Sequence, residues 1–252
     1  GGFIGSHVAK RLKEEGYYVV AVDIKKCDFF AAEEFCDQFL ELDLRDLQNC
    51  IKATSGCHHV YNFAADMGGM GFIESNPSQI LYNNHFISLN MLKAAQRNRI
   101  QRYFYASSAC VYPEKIQTVH NEFGVSLLQE SEAKGLRESD VWEGRPQDAY
   151  GLEKLASEEA AMYFAGDSDS DHRMQVRMAR FHNVYGPRGT WMGGREKVPA
   201  ALCRKVASAQ VFVEIQVWGD GSQTRSFCYI DDCVEGVLRL MRKELEDPSQ
   251  NT

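Results

Sequence analysis

Gly1-Gly2-Phe3-Ile4-Gly5-Ser6-His7-Val8-Ala9-Lys10-Arg11-Leu12, followed after Gly16 by Tyr17-Tyr18-Val19-Val20-Ala21-Val22-Asp23, is the stretch that decides the fold. Val8 and Leu12 lie one helical turn apart and Gly16 is a natural stop, so the first part reads as a helix opened by a glycine-rich turn. The second part reads as a buried strand closed by an acid. A glycine turn at a helix start presents unpaired backbone N–H groups and the positive end of the helix dipole, which suits a pyrophosphate. An Asp about 20 residues beyond the glycines accepts hydrogen bonds from ribose hydroxyls, and its charge repels the 2′-phosphate of NADP. Gly2, Phe3, Ile4, Gly5 and Asp23 are thus candidate residues for binding NAD.

The same alternation continues downstream. Leu40 to Asp43 reads as a short strand, with Leu47 and Ile51 opening a helix after it, and Asp43 is placed to contact an adenine. His59 to Asp66 reads as another strand, followed by Met67-Gly68-Gly69-Met70-Gly71, which is too glycine-rich for a helix and allows close approach of a ligand. A long helix is expected from about Ser78 to Arg97, with Ile80, Ile87, Met91 and Ala94 or Ala95 on its buried side, and then a strand from Arg102 to Ala106. Strands alternating with helices of these lengths imply an α/β fold with a parallel sheet, whose ligands bind beyond the carboxyl ends of the strands. Ser107-Ser108-Ala109-Cys110 sits at such an end. Residues 114–147 are polar and without strong periodicity, as in a surface insertion or lid, and contain a near-repeat of Leu128 to Ala133 at Leu136 to Val141.

Asp148 can cap the next helix, which runs to Gly166 and carries Tyr150 and Lys154. Residues at i and i+4 share a helical face, so the phenol and the ammonium converge on one small volume. A free phenol has a pKa of about 10, and acting as a base near neutral pH needs a shift of about 3 units. A buried lysine together with the cationic ring of an oxidised nicotinamide can supply it. Met174 to Arg180 reads as a further strand. Beyond it come a helix from Pro199 to Ala209, extended segments around Val211 to Trp218 and Gln223 to Tyr229, and a last helix of about 231–245 capped by Asp231, with Val234, Val237, Leu238 and Met241 on its buried side. Residues 1–187 are expected to form the dinucleotide-binding domain and 188–252 part of a smaller substrate domain whose last helix packs back on the first. Because the chain opens inside the glycine motif, a hydrophobic strand and another glycine are expected upstream, with material also missing after Thr252.

Lys plus Arg number 28 against 35 for Asp plus Glu, a formal charge of −7, and the basic residues are scattered. Nucleic acid is not the expected partner. No stretch approaches the roughly 20 apolar residues of a membrane span, so no membrane partner and a cytoplasmic location are expected. The eight cysteines fall at irregular spacings without a Cys-x-x-Cys pair, which reads as free thiols with no metal site.

The glycine opening, Asp23, Asp43, the strand from Asn62 to Ala65, Ser108, the Tyr150/Lys154 pair and Asn183 to Pro187 together resemble the extended short-chain dehydrogenase/reductase superfamily, in its NAD-dependent epimerase/dehydratase branch. The resemblance spans nearly the whole chain and implies a Rossmann-type doubly wound parallel sheet with a smaller C-terminal substrate domain. Within the branch, Ala64 to Phe72, Ser107 to Pro113, Gln147 to Lys154, Arg180 to Pro187, Gly193 to Pro199 and Trp218 to Phe227 are similar to epimerases of GDP-sugars. That similarity implies NAD held by the glycine turn, Asp23, Asp43, Ala64, Tyr150 and Lys154. It implies a sugar nucleotide, GDP-mannose, held by Gly68, Ser108, Ala109, Cys110, Asn183, Glu196, Lys197, Val198, Lys205, Gln223, Thr224 and Arg225, and a homodimer. Three departures accompany it. Residues 114–147 are longer than the family pattern, and both the first glycine and a later arginine that reaches the sugar nucleotide are missing.

The implied catalytic residues are Tyr150, Lys154, Ser108, Cys110 and Lys197. An unactivated sugar C–H does not lose its proton to a side chain, but a ketone at C4 acidifies the hydrogens on C3 and C5. Tyr150 would take the hydroxyl proton as C4 is oxidised, with Ser108 holding the oxygen. Inversion needs a proton removed from one face and delivered to the other, hence two groups. Cys110, with a reference pKa of about 8.5, and a partly desolvated Lys197 fit those roles. A sugar-nucleotide 4-epimerase or dehydratase is the alternative enzyme, and a dinucleotide-sensing regulator the alternative from another class. Position 110 separates the enzymes, since a 4-epimerase needs no acid/base cysteine, and a sensor has no use for the Tyr150/Lys154 pair. Asp23 carries the first prediction: titration with both cofactors should show clear preference for NAD, and equal affinity would remove Asp23 from the ribose site.

Overall fold

The computed structural model describes residues 1–68, 70–113, 116, 136–146, 148–166, 173–210, 214–217 and 225–244. The glycine turn leads into α1 (Phe3–Glu14), whose buried residues include Val8 and Leu12, and the chain leaves it through Gly16 at φ +91°, in the left-handed region that glycine tolerates. Strand β1 (Val20–Asp23) follows, then a short helix α2 (Ala32–Phe35) that the sequence pattern did not announce, β2 (Gln38–Glu41), α3 (Leu47–Thr54) and β3 (His59–Asn62). Next come α4 (Met70–Ser75), α5 (Pro77–Arg97), β4 (Arg102–Ser108), α6 (Ala149–Gly166) and β5 (Gln175–Phe181). The chain then forms β6 (Asn183–Tyr185), α7 (Val198–Ser208), β7 (Phe227–Tyr229) and α8 (Ile230–Arg242).

Among the described residues every strand pair is parallel. β1 pairs with β2, β4 lies between β3 and β5, and β6 pairs with β7. Parallel pairing requires crossovers, and the crossovers are the helices that cover both faces. One apolar layer brings Leu92, Ala94 and Ala95 of α5 and Ala161 of α6 against Tyr103 and Tyr105 of β4. The opposite layer joins Val8 and Leu12 of α1 to Val234, Val237, Leu238 and Met241 of α8 around Phe104. The last helix therefore packs on the first helix and on the β4 face of the sheet.

Several boundaries differ from the sequence expectation. α4 forms at Met70 although Gly71 lies inside it. A helical glycine costs about 1 kcal/mol, and the burial of Ile73 together with the packing of Phe72 beside Tyr150 offsets that. β2 ends at Glu41, two residues before Asp43, because its register is fixed by β1, with Asp23 opposite Glu41. α8 begins one residue earlier than expected, so Asp231 is not its cap but sits in the first turn, where its charge still complements the helix dipole. Residues 214–217 form no strand, and Val211 to Val213 and Trp218 fall outside the described residues. Most of the 114–147 segment is likewise outside them. Its described end is packed: a 3₁₀ turn at Glu138–Glu143 buries Val141 against Val111, Tyr112 and Leu155.

Candidate active site

The carboxyl ends of β1, β3, β4 and β5 open onto one cleft of about 3920 Å³, which also runs between β1 and β3. That is several times the roughly 300–1,000 Å³ of an ordinary ligand pocket, so lining it selects no residue by itself. The side-chain contacts do.

At one end of the cleft the first helix begins at Phe3 with Gly2 as N-cap and no side chain bonded to its free N–H groups. The Gly1 nitrogen lies 3.2 Å from a carboxylate oxygen of Asp23, so the glycine turn and the acid at the end of β1 are adjacent. A Cβ on Gly1 would lie 3.0 Å from that same oxygen, whereas one on Gly2 would meet nothing within 4 Å. Uncapped helical N–H groups beside an open glycine backbone, with a carboxylate next to them, fit a pyrophosphate and its ribose. Ala64 follows β3, its N–H donating to Asn62 at 3.1 Å. Asp43 lines the cleft, but its carboxylate is engaged by Arg45 at 2.6 to 3.1 Å, and that bonding holds its pKa below the usual range.

At the centre, Asp148 caps α6 by accepting from the Gly151 N–H at 2.7 Å. Tyr150 and Lys154 are both buried. Lys154 Nζ donates to the Ala106 carbonyl at 2.9 Å, 5.5 Å from the centre of the Tyr150 ring and 4.7 Å from that of Tyr105. Burial pushes the Tyr150 phenol up to about 12, and the attraction of Lys154 only partly opposes it. Lysine alone therefore does not make Tyr150 a base at neutral pH, and further positive charge is required.

Past β4, Ser108 caps a 3₁₀ turn of Ala109–Val111, its hydroxyl accepting from the Cys110 N–H at 3.2 Å. Cys110 packs in one apolar cluster with Tyr150, Ile73 and Ile80. Burial pushes the Cys110 thiol up and Asp148 adds to the rise, while hydrogen bonding to Ser108 and, less strongly, the charge of Lys197 oppose it; burial pushes the Lys197 ammonium down, with Cys110 pulling it up. The two groups are electrostatic neighbours although 87 positions separate them in the chain, from 110 to 197.

The remaining residues surround this centre. Lys197 is the N-cap of α7, beside the exposed Val198, and Glu196 is held by the Gly194 N–H at 2.7 Å and Arg204 at 3.0 Å. Gly68 is buried, and a Cβ there would meet the Phe72 ring at 2.9 Å. Asn183 reaches the Ser226 carbonyl, Lys205 donates to the Gln216 carbonyl at 2.6 Å, and Arg225 lines the cleft. Gln223 and Thr224 lie outside the described residues.

The supporting residues were not named from sequence. Glu153 is fully buried, its carboxylate accepting from Ser157 at 2.7 Å, Ser88 at 3.0 Å and Tyr105 at 3.4 Å. Glu158 accepts from Ser107 and from Arg180 at 2.7 to 3.2 Å, and Arg180 also donates to the Glu138 carbonyl at 2.6 Å. Arg195 stacks 4.0 Å from the Phe72 ring and faces Asp66 at 3.7 Å, which joins the loop before α7 to the loop after β3. One signal was available: a helix whose acids at 153 and 158 fall among apolar residues is burying charge, although the partners are unreadable from spacing.

Residues 1–251 match the NAD dependent epimerase/dehydratase family. The chain belongs to that family. It is 53% identical over 248 residues to GDP-mannose 3,5-epimerase of Arabidopsis thaliana and 54% identical over 248 residues to GDP-mannose 3,5-epimerase 1 of Oryza sativa subsp. japonica. In each comparison 98% of this chain is covered, and the chain spans 61% of the length of the relative. Among solved structures, UDP-glucose 4-epimerase from Thermotoga maritima with UDP-glucose superposes with a TM-score of 0.73 at 24% identity, covering 96% of this chain and 71% of that one. The likeness to that 4-epimerase establishes the fold, a Rossmann-type parallel sheet.

The Glu158–Arg180 pair generates a prediction. Arg180→Met should cost about 3–5 kcal/mol in urea unfolding, because it leaves a buried carboxylate without its cation. Adding Glu158→Gln should recover part of that loss. A double variant no more stable than Arg180→Met would show that the charge left on Glu158 is not the source of the loss.

Proposed function

We propose that this protein is a GDP-mannose 3,5-epimerase, forming GDP-L-galactose and GDP-gulose. The observation that carries the reading is a thiol, Cys110, packed beside Tyr150 in a cleft that Lys197 also lines. A 4-epimerase or dehydratase sharing the cofactor end would not require that pair. The relatives above 50% identity carry this name, which supports the reading.

The glycine turn, Asp23, Tyr150 and Lys154 fit NAD, and bound NAD supplies the hydride acceptor and donor for C4 together with a positive charge in its oxidised form. Tyr150 accepts the C4 hydroxyl proton at its phenol oxygen. Lys154, fixed on the Ala106 carbonyl, lowers the cost of the phenolate that the reaction needs. The Ser108 hydroxyl orients the C4 oxygen. Once C4 is a ketone, the neighbouring C–H bonds at C3 and C5 are acidic enough for side chains to exchange. Burial raises the Cys110 thiol and lowers the Lys197 ammonium, which favours the neutral form of each, and the two are assigned as the proton donor and acceptor at C3 and C5.

A homodimer is part of the proposal. Tyr82, Phe86 and Leu89 of α5 and Leu152 and Tyr163 of α6 are exposed; the first three are four and three residues apart and the last two eleven apart, about three helical turns, on two helices that pack against each other. A second copy would cover that stripe. Phe86→Glu with Tyr163→Glu should halve the mass in sedimentation, and an unchanged mass would place any subunit interface elsewhere. All eight cysteines are free, which supports a cytoplasmic location, and the product would enter the nucleotide-sugar metabolism leading to ascorbate.

The functional test uses heavy water. Wild-type protein with NAD and GDP-mannose should place deuterium at C3 and C5 and little at C4. Cys110→Ser should still oxidise C4 but lose most of the exchange, because a hydroxyl is nearly isosteric and far less acidic. Unchanged exchange in the variant would reduce the cysteine to a packing residue. Inversion at C4 alone, without deuterium, would favour the 4-epimerase.

A further inference from the structure

Gly151 lies between the two residues that define the helical motif, and its importance is steric. A Cβ built on it would fall 2.0 Å from the Cys110 carbonyl oxygen, 2.7 Å from that carbonyl carbon and 3.3 Å from the Cys110 Cβ. The first of these contacts is far inside the roughly 3.5 Å at which non-bonded heavy atoms attract. Backbone, not a flexible side-chain tip, occupies the space. The Gly151 N–H is at the same time held by Asp148 at 2.7 Å, so the first turn of α6 is fixed where the 3₁₀ turn of Ala109–Val111 meets it.

We propose that Gly151 is a positioning residue that sets the distance between the two halves of the chemistry. It lets the backbone of the cysteine turn lie directly on α6, and so brings the Cys110 thiol alongside Tyr150 in the cluster with Ile73 and Ile80. Any side chain at 151 forces the turn away from the helix by more than about 1 Å, and a displacement of that size costs about 10²-fold in a reaction that depends on near-attack geometry. Tyr150 and Lys154 belong to the helix itself and keep their mutual spacing. The turn moves, carrying Cys110 away from Lys197 and Ser108 away from the C4 oxygen.

The inference rests on the proposed proton-transfer role of Cys110, and its test is built to separate the two. Gly151→Ala is compared with wild type and with Gly166→Ala, a control at the far end of the same helix where a Cβ meets nothing within 4 Å. Three quantities are read: retention of NAD, deuterium exchange at C3 and C5, and the rate of Cys110 alkylation followed by mass spectrometry. Gly151→Ala should retain NAD, lose about 10²-fold in exchange, and alkylate at Cys110 several-fold faster as the turn swings toward solvent. Gly166→Ala should match wild type in all three. If wild type shows no exchange at all, the functional reading fails, while the alkylation rates still decide the role of Gly151. Exchange and alkylation both unchanged in Gly151→Ala would overturn the inference. So would loss of exchange accompanied by loss of NAD and of the folded state in thermal melts, since that marks a general structural defect.

Discussion

Helix α6 takes two glutamates and a lysine, Glu153, Glu158 and Lys154, into the interior, and much of the arrangement around it follows from the need to partner them. An uncompensated buried charge costs several kcal/mol, so each must find partners from other elements. Glu153 takes three hydroxyls on one oxygen, one each from α5, β4 and its own helix, while its other oxygen is buried without a hydrogen-bond partner among the described residues. Glu158 takes Ser107 from the end of β4 and Arg180 from β5, and Arg180 reaches on to the Glu138 carbonyl. Lys154 takes the Ala106 carbonyl and the faces of two tyrosine rings. These contacts pin α6 against β4 and β5 at the point where Ser108 and Cys110 emerge.

The resulting centre has two electrostatic regimes. Around Tyr150 burial opposes ionisation and Lys154 favours it, so the phenol holds its proton until more positive charge is present. Around Cys110 and Lys197 burial penalises charge on both. It drives the thiol up and the ammonium down, so that each is held toward its neutral form. That tuning uses desolvation, not a strong ion pair. It suits a step in which one group gives a proton and the other receives one.

Helix α8 shows how far the fold depends on long-range burial. Val234, Val237, Leu238 and Met241 come from the end of the described chain, yet they complete the layer begun by Val8 and Leu12 near its start. Packing of this kind contributes roughly 25 cal/mol for each square ångström of apolar surface removed from water. It also encloses the face of β4 opposite to α5 and α6, so the strand that delivers Ser108 is covered on both sides.

Periodicity and local chemistry determined which segments became helix or strand, because apolar spacing, glycine at Gly16 and the cap at Asp148 act within a few residues of themselves. The Tyr150/Lys154 face was legible for the same reason: four residues on a helix is a fixed geometry. Asp23 beside the glycine turn was legible because a strand and its preceding helix form one local unit. Tertiary structure alone decided the rest. It formed a helix over Gly71, because a packed Ile73 outweighs local propensity, and it moved the end of β2, because register belongs to the neighbouring strand. It chose the partners of Glu153 and Glu158 and raised the Tyr150 pKa, since desolvation depends on what surrounds a group and not on its place in the chain. It also brought residue 197 into the same cleft as residue 110 and set the cysteine turn against Gly151, placements that no spacing rule encodes because they arise where distant segments of the chain converge.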